Sequence, residues 1–134
     1  MAIVATRISN AGSNIVRRTV ADGTTISGGS LMRFSGDNTA SASTVTCLGC
    51  PFAGIAVADK LAGDGSTALG CDMGGVWDIT NSTDVIGYGT QVMLSGINLI
   101  KPGTAAAILS GAIIGTCEES ADSGEVVRVR LKGY

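Results

Sequence analysis

Twenty glycines divide this chain of 134 residues so evenly that almost no stretch long enough for three helical turns escapes one. Each glycine inside a helix costs about 1 kcal/mol relative to alanine, so long helices are disfavoured. Between the glycines lie short runs rich in Val, Ile and Thr, bounded by Asn, Asp and Ser. That pattern predicts an all-β chain of many short strands. Strands are expected over 15–20, 31–34, 44–48, 54–58, 68–72, 76–79, 91–94, 98–100, 107–109, 113–117 and 126–132. Turns are expected at Asp22-Gly23, Gly28-Gly29, Gly36-Asp37-Asn38, Gly63-Asp64-Gly65, Gly74-Gly75, Ser95-Gly96, Lys101-Pro102-Gly103 and Asp122-Ser123-Gly124.

The length suits one domain, and a hydrophobic share of 45% argues against disorder. The apolar residues are mostly small, with one Trp, two Phe and two Tyr. Small side chains bury little area each, so the sequence predicts that burial between subunits supplements a thin core. The opening residues Met1 to Arg7 carry no basic segment ahead of their apolar run, and the apolar run from Ala105 to Ile114 is too short to span a bilayer. The expectation is a chain made in the cytoplasm, with no membrane partner.

The charge is sorted along the chain. Residues 1–20 hold Arg7, Arg17 and Arg18 and no acid, residues 21–125 hold all eleven acids against Arg33, Lys60 and Lys101, and residues 126–134 hold Arg128, Arg130 and Lys132. Two basic ends flank an acidic body. The ends either form an ordinary solvated surface or dock on acidic protein surface. The acidic, aromatic-poor body speaks against a nucleic-acid role. In the last strand Val127, Val129 and Leu131 alternate with Arg128, Arg130 and Lys132, which gives one packing face and one basic face.

An internal repeat is visible. Gly29 to Gly36 resembles Gly89 to Gly96, sixty positions later. With one residue of slippage, Ile55-Ala56, Asp59, Ala62, Gly65 and Gly74 match Ile114-Gly115, Glu118, Ala121, Gly124 and Gly133. This predicts a pseudo-duplicated β structure with 75–88 inserted between the units and the first twenty residues outside both.

There is no His, which removes His-based triads, His metal ligands and the usual near-neutral general base. Cys47 and Cys50 form a close pair, with Cys71 and Cys117 apart. A zinc site would need all four to converge, and Pro51 leads into a strand rather than the helix of a thioredoxin-like motif. Disulfides would need an oxidising or hot setting, so the reading preferred for the cysteines is small buried hydrophobes. Gly63-Asp64-Gly65-Ser66 lacks the further ligands of a calcium loop. Asp59, Glu118 and Glu119 read as hairpin tips rather than paired catalytic carboxylates, and Trp77 as a core or subunit-interface anchor. The sequence predicts no catalytic residue, cofactor, metal or small-molecule substrate.

Phe52-Ala53-Gly54-Ile55-Ala56-Val57-Ala58-Asp59, then Gly63-Asp64-Gly65 and Gly74-Gly75-Val76-Trp77-Asp78-Ile79 resemble the capsid decoration, or cement, proteins of tailed viruses, of the phage lambda head-decoration type. Gly89-Thr90-Gln91-Val92, Ile113-Ile114-Gly115 and the Arg128-Val129-Arg130-Leu131 ending continue the resemblance. It implies a small β-barrel or β-tulip domain over 25–134 and an extended N-terminal arm over 1–24. It further implies a homotrimer on the virion surface that stabilises the expanded head by bridging neighbouring major capsid proteins. Ile15, Val16, Arg17, Arg18 and Val20 would be the capsid-binding arm, adding as a strand to a partner's sheet. Trp77, Arg128, Arg130 and Lys132 are candidates for a subunit or capsid interface. The four cysteines depart from that family's pattern. The rival readings are another virion β-module, such as a head spike or tail-tube part, and a small β-barrel ligand-binding domain or enzyme.

Overall fold

A computed structural model describes residues 4–132. Its elements are β1 (Thr6–Ser9), β2 (Ile15–Thr19), β3 (Leu31–Gly36), β4 (Thr39–Ala42), β5 (Phe52–Ala56), β6 (Ala68–Asp72), β7 (Val76–Asn81), β8 (Gln91–Leu94), β9 (Leu99–Pro102), α1 (Ala105–Ser110), β10 (Ile113–Cys117) and β11 (Val126–Leu131). Strands β2-β4-β3-β5-β6 close one five-stranded barrel. Strands β7, β11, β10, β8 and β9 close a second through the β7–β9 pairing, and β1 adds to the outside of β7. The expected all-β, pseudo-duplicated barrel fold is what the chain forms.

The two barrels have the same wiring. In each, the first strand pairs parallel to the third and antiparallel to the fifth, while the second pairs antiparallel to the third and fourth. The registers correspond too. Met32 opposite Gly54 and Arg33 opposite Phe52 match Val92 opposite Gly115 and Met93 opposite Ile113, each with a bulge at the same place. The isolated bridge Ile26–Lys60 matches Ile86–Ala121. Asn38 and Asn98 both take a left-handed conformation in the equivalent hairpins.

These registers correct the repeat as read from sequence. Gly29–Gly36 and Gly89–Gly96 do correspond, but the partner of Gly54 is Gly115 and that of Asp59 is Ser120, not Glu118. Residues 76–81 are no insert, because they form β7, the first strand of the second barrel. The match proposed for Gly133 lies outside the described residues. The physical reason is that ladder register, set by paired backbone groups, determines correspondence, whereas glycine spacing tolerates slips of a residue or two.

The arm reading is corrected in the same way. Ile15, Val16, Arg17 and Arg18 are the first strand of the first barrel, laddered to β6 through five residue pairs from Ile15–Asp72 to Thr19–Ala68. Val20 is buried inside that barrel at 2% exposure, and its N–H donates to the Thr67 carbonyl. A boundary at residue 24 would cut the barrel open. Among the described residues, β1 is the one strand outside the duplicated units.

Two further expectations fail locally. Residues 107–109 belong to α1, capped by the Thr104 hydroxyl accepting from the Ala107 N–H and ended by Gly111 in the left-handed region. An Ala-rich run between a Thr and a Gly carries a complete set of helix start and stop signals. The strand expected at 44–48 is a loop, and the strand lies at Thr39–Ala42 instead.

The small residues find their use inside the first barrel, which Val20, Ile26, Met32, Ala40, Ala53, Ala56, Leu69 and Cys71 fill. The larger Leu31, Phe52 and Ile55 point the other way, into a cluster with Trp77, Ile79, Val92, Leu94, Ile114, Val127 and Val129 of the second barrel. Burying each such side chain stabilises by about 1.5–3 kcal/mol. The burial that a thin core lacks is therefore supplied between the two barrels of one chain.

Gly54 and Gly115 occupy the equivalent bulge positions and have no room for a Cβ. One on Gly115 would lie 2.1 Å from the Arg130 carbonyl oxygen, and one on Gly54, at φ +114°, would lie 2.8 Å from Cys71 Cβ. Gly115→Ala and Gly54→Ala should each destabilise by roughly 2 kcal/mol or more in urea unfolding. Gly23→Ala, in open space without positive φ, should change stability by less than about 0.5 kcal/mol.

Candidate interaction surfaces

The residues singled out by sequence fall into three settings. Trp77 is only 4% exposed; its Nε1–H donates to the Gly74 carbonyl at 3.0 Å, and the Arg7 guanidinium stacks 4.7 Å from its ring centroid. It is a core anchor with almost no surface left for a neighbouring subunit.

The basic stripe of β11 does face outward, but acids of its own barrel meet it. Arg128 lies 3.6 Å from Asp78 on β7, and Arg130 lies 3.1 Å from Glu118. Lys132 Nζ donates to the Gly111 carbonyl at 3.2 Å, and partial burial pushes its pKa down. Exposed pairs of this kind contribute about 0–1 kcal/mol. Glu119 accepts from the Arg128 N–H, and Asp59 accepts from the Gly28 N–H at 2.6 Å, so both carboxylates brace hairpins.

On β2, Arg18 stacks over Phe34 and donates to Asn38, whereas Arg17 is exposed and makes no ion pair among the described residues. Ile15 is 58% exposed. Ile15 and Arg17 line an open depression together with Ser66, Ala68 and Gly70.

An apolar face lies where the β4–β5 loop meets the second barrel. Gly49 N–H donates to the Leu94 carbonyl and Gly96 N–H to the Cys47 carbonyl, which docks the loop on the β8–β9 hairpin. Val45, Leu48 and Ile97 stay largely exposed there, and Leu48, Met93 and Ala107 line a groove against α1. Leu109 of α1 is 89% exposed.

The loop also corrects the cysteine reading. The left-handed Gly49 turns the chain back so that Cys47 and Cys50 pair as a disulfide, with Cα atoms 5.4 Å apart. Only Cys71 and Cys117 are buried thiols, and burial pushes each up to about 11. Among the described residues no group of three or more His, Cys, Asp or Glu could hold a metal ion, and no helix is long and apolar enough to cross a membrane.

Sequence reasoning missed Asp72. Its carboxylate is fully buried at the crossing between the barrels, where it meets Arg7 at 2.6 Å, the Ser13 hydroxyl at 2.8 Å, the Asn14 N–H at 2.9 Å and the Gly74 N–H at 3.0 Å. Burial opposes its charge, but the Gly74 and Asn14 amides, the Ser13 hydroxyl and Arg7 outweigh it and hold the carboxyl below its usual range. Asp72 two residues ahead of the Gly74-Gly75 pair was the available signal, and it reads equally well as a turn.

No family model matches the chain, and no curated protein matches it. Among solved structures it is similar to the N base of the head fiber gp8.5 of bacteriophage phi29. The TM-score is 0.54 at 16% identity, covering 90% of this chain and 95% of that one. The likeness is one of fold, and it spans both barrels.

Because the folded pKa of Asp72 lies below its unfolded value of about 3.9, its stabilisation is present above pH ~4 and is lost as pH falls through the folded value. Urea midpoints should fall from pH 5 to 2.5, and Asp72→Asn should flatten that slope. The same substitution should cost roughly 2 kcal/mol at pH 7, because an amide NH2 would then face buried donors that now point at a carboxylate oxygen. Counting thiols in denaturant should give two per chain without reductant and four with it.

Proposed function

We infer that this chain is a structural, non-enzymatic protein of a tailed-phage virion that docks on the outer surface of the head. The observation that carries this reading is the fold likeness, along nearly the whole chain, to the base of a phage head fibre. The sequence resemblance to capsid decoration proteins supports the same class of location. In the finer reading the chain is a homotrimer that bridges neighbouring major capsid proteins and stabilises the expanded head, through shallow contacts multiplied by lattice symmetry. The exposed Val45, Leu48, Ile97 and Leu109 are the apolar side chains that such contacts would bury.

A second reading is favoured by the neighbour itself: the chain is the base of a head appendage rather than a cement. Both readings are tested by mixing the purified protein with expanded, undecorated heads and imaging them by electron cryo-microscopy. Density on the outer head surface at symmetry-related sites is expected. A cement fills those sites and raises the temperature at which heads rupture, whereas an appendage base binds without raising it. Heads that stay bare, or density confined to tails, would overturn the inference.

A further inference from the structure

The duplication gives an internal standard for every edge in the fold, and one edge is unequal. In the β7–β11 ladder Asn81 donates to the Glu125 carbonyl, so Asn81, Ile79 and Trp77 bond toward β11 while Val76 and Asp78 turn their backbone groups the other way. There β1 meets them, antiparallel, with Thr6 opposite Asp78 and Ser9 opposite Val76. In the first barrel the corresponding strand is β2. Val20 donates to the Thr67 carbonyl and Met73 to the Asn14 carbonyl, so Val16 and Arg18 bond toward β6 and Ile15 and Arg17 turn outward. Strand β4 reaches β2 only at Thr19, and no strand covers Ile15–Arg17 among the described residues.

The charges differ in the same place. Asp78 is neutralised by Arg128 across the β7–β11 ladder. Its counterpart Arg17 faces Gly70, which carries no charge, and Arg17 makes no ion pair among the described residues. Ile15, opposite Asp72, leaves an exposed apolar side chain on the same face.

We propose that the Ile15–Arg17 edge of β2 is a strand-acceptor site for an extended, acidic segment of a partner protein. The segment adds antiparallel, as β1 does on β7. Main-chain hydrogen bonds to Ile15 and Arg17 supply its affinity, and a carboxylate opposite Arg17 supplies a counter-charge, the role that Arg128 plays for Asp78 in the second barrel. Residues of the segment opposite Val16 lie on the inward face, where Val16 itself packs on the core. This site stands on the sheet alone and does not depend on the virion reading.

The probe is a synthetic octapeptide alternating Val or Thr with Glu, compared with the same peptide carrying Lys. Amide exchange of the full chain is followed by NMR. The Glu peptide should slow exchange of the Ile15 and Arg17 amides at least tenfold, leave Val16 and Arg18 unchanged, and bind at least tenfold more tightly than the Lys peptide. Arg17→Pro removes an N–H that the β6 ladder does not use, so the barrel should persist while peptide protection is lost; an intact amide spectrum for the variant checks the fold. Arg17→Glu should reverse the preference between the peptides. Unchanged Ile15 and Arg17 amides with the Glu peptide, or equal binding of both peptides, overturns the proposal. So does concentration-dependent protection of these amides in the protein alone, which would make a second copy the occupant.

Discussion

The architecture turns on how two closed barrels are joined, and a single carboxylate holds that joint. The chain crosses between the barrels twice, once from β1 into β2 and once from β6 into β7, and the two crossings run side by side. Gly74 meets the other crossing so closely that a Cβ there would sit 1.9 Å from the Gly12 carbonyl oxygen. Backbone packed this tightly has amides that neighbouring strands cannot satisfy. Asp72 accepts from Asn14 on one crossing and Gly74 on the other, and Arg7 from β1 balances its charge. Arg7 then stacks on Trp77, which anchors the shared core. A buried carboxylate is costly unless it is fully paired, and here the pairing itself fixes the crossing geometry.

The copies have diverged where they have separate duties. At one end of the first barrel the buried Lys60 ammonium donates to the Asp22 and Leu61 carbonyls and to Asp64, which gathers the loops there. Beside Lys60, the Ser66 amide and then Lys60 itself hold the Asp64 carboxyl below its ordinary value. The second barrel has Ala121 at the Lys60 position and closes the same end with Asn81, whose amide donates to the Asp84 and Asp122 carbonyls. A charge in one copy and a neutral amide in the other solve the same problem of orphaned loop carbonyls. Such exchanges hide a duplication from sequence comparison while leaving its ladders intact.

That explains which parts of the fold were legible. Strands at 68–72, 91–94 and 113–117 stand at the residues where the β-branched runs and glycines put them, because local pattern and final register agree there. Thr39–Ala42 carries almost no strand signal and becomes one through pairing with β3, an influence outside any local window. Ile15–Val20 was legible as a strand but not as a fixed one, since nothing in its residues distinguishes a partner's sheet from its own. Of the surface residues, the β11 stripe could be read outward from alternation alone, but its acids lie on other strands. Asp72 was illegible because its four partners are scattered from residue 7 to residue 74.

Duplication also changes what an exposed feature means. In an isolated barrel, Arg17 would be one more surface charge and Ile15 one more exposed aliphatic, neither requiring explanation. With a second copy of the same barrel beside it, each position has a control. The copy whose edge is covered carries an acid met by an arginine, and the copy whose edge is bare carries an arginine met by glycine. Edges left bare invite uncontrolled pairing, and proteins commonly blunt them with charge. Here the charge is one residue of a single sign beside an apolar neighbour, which discourages self-pairing between like edges while still accepting a strand of the opposite sign. Selectivity of this kind lets a protein built largely of small, uncharged residues engage one neighbour without sticking to itself.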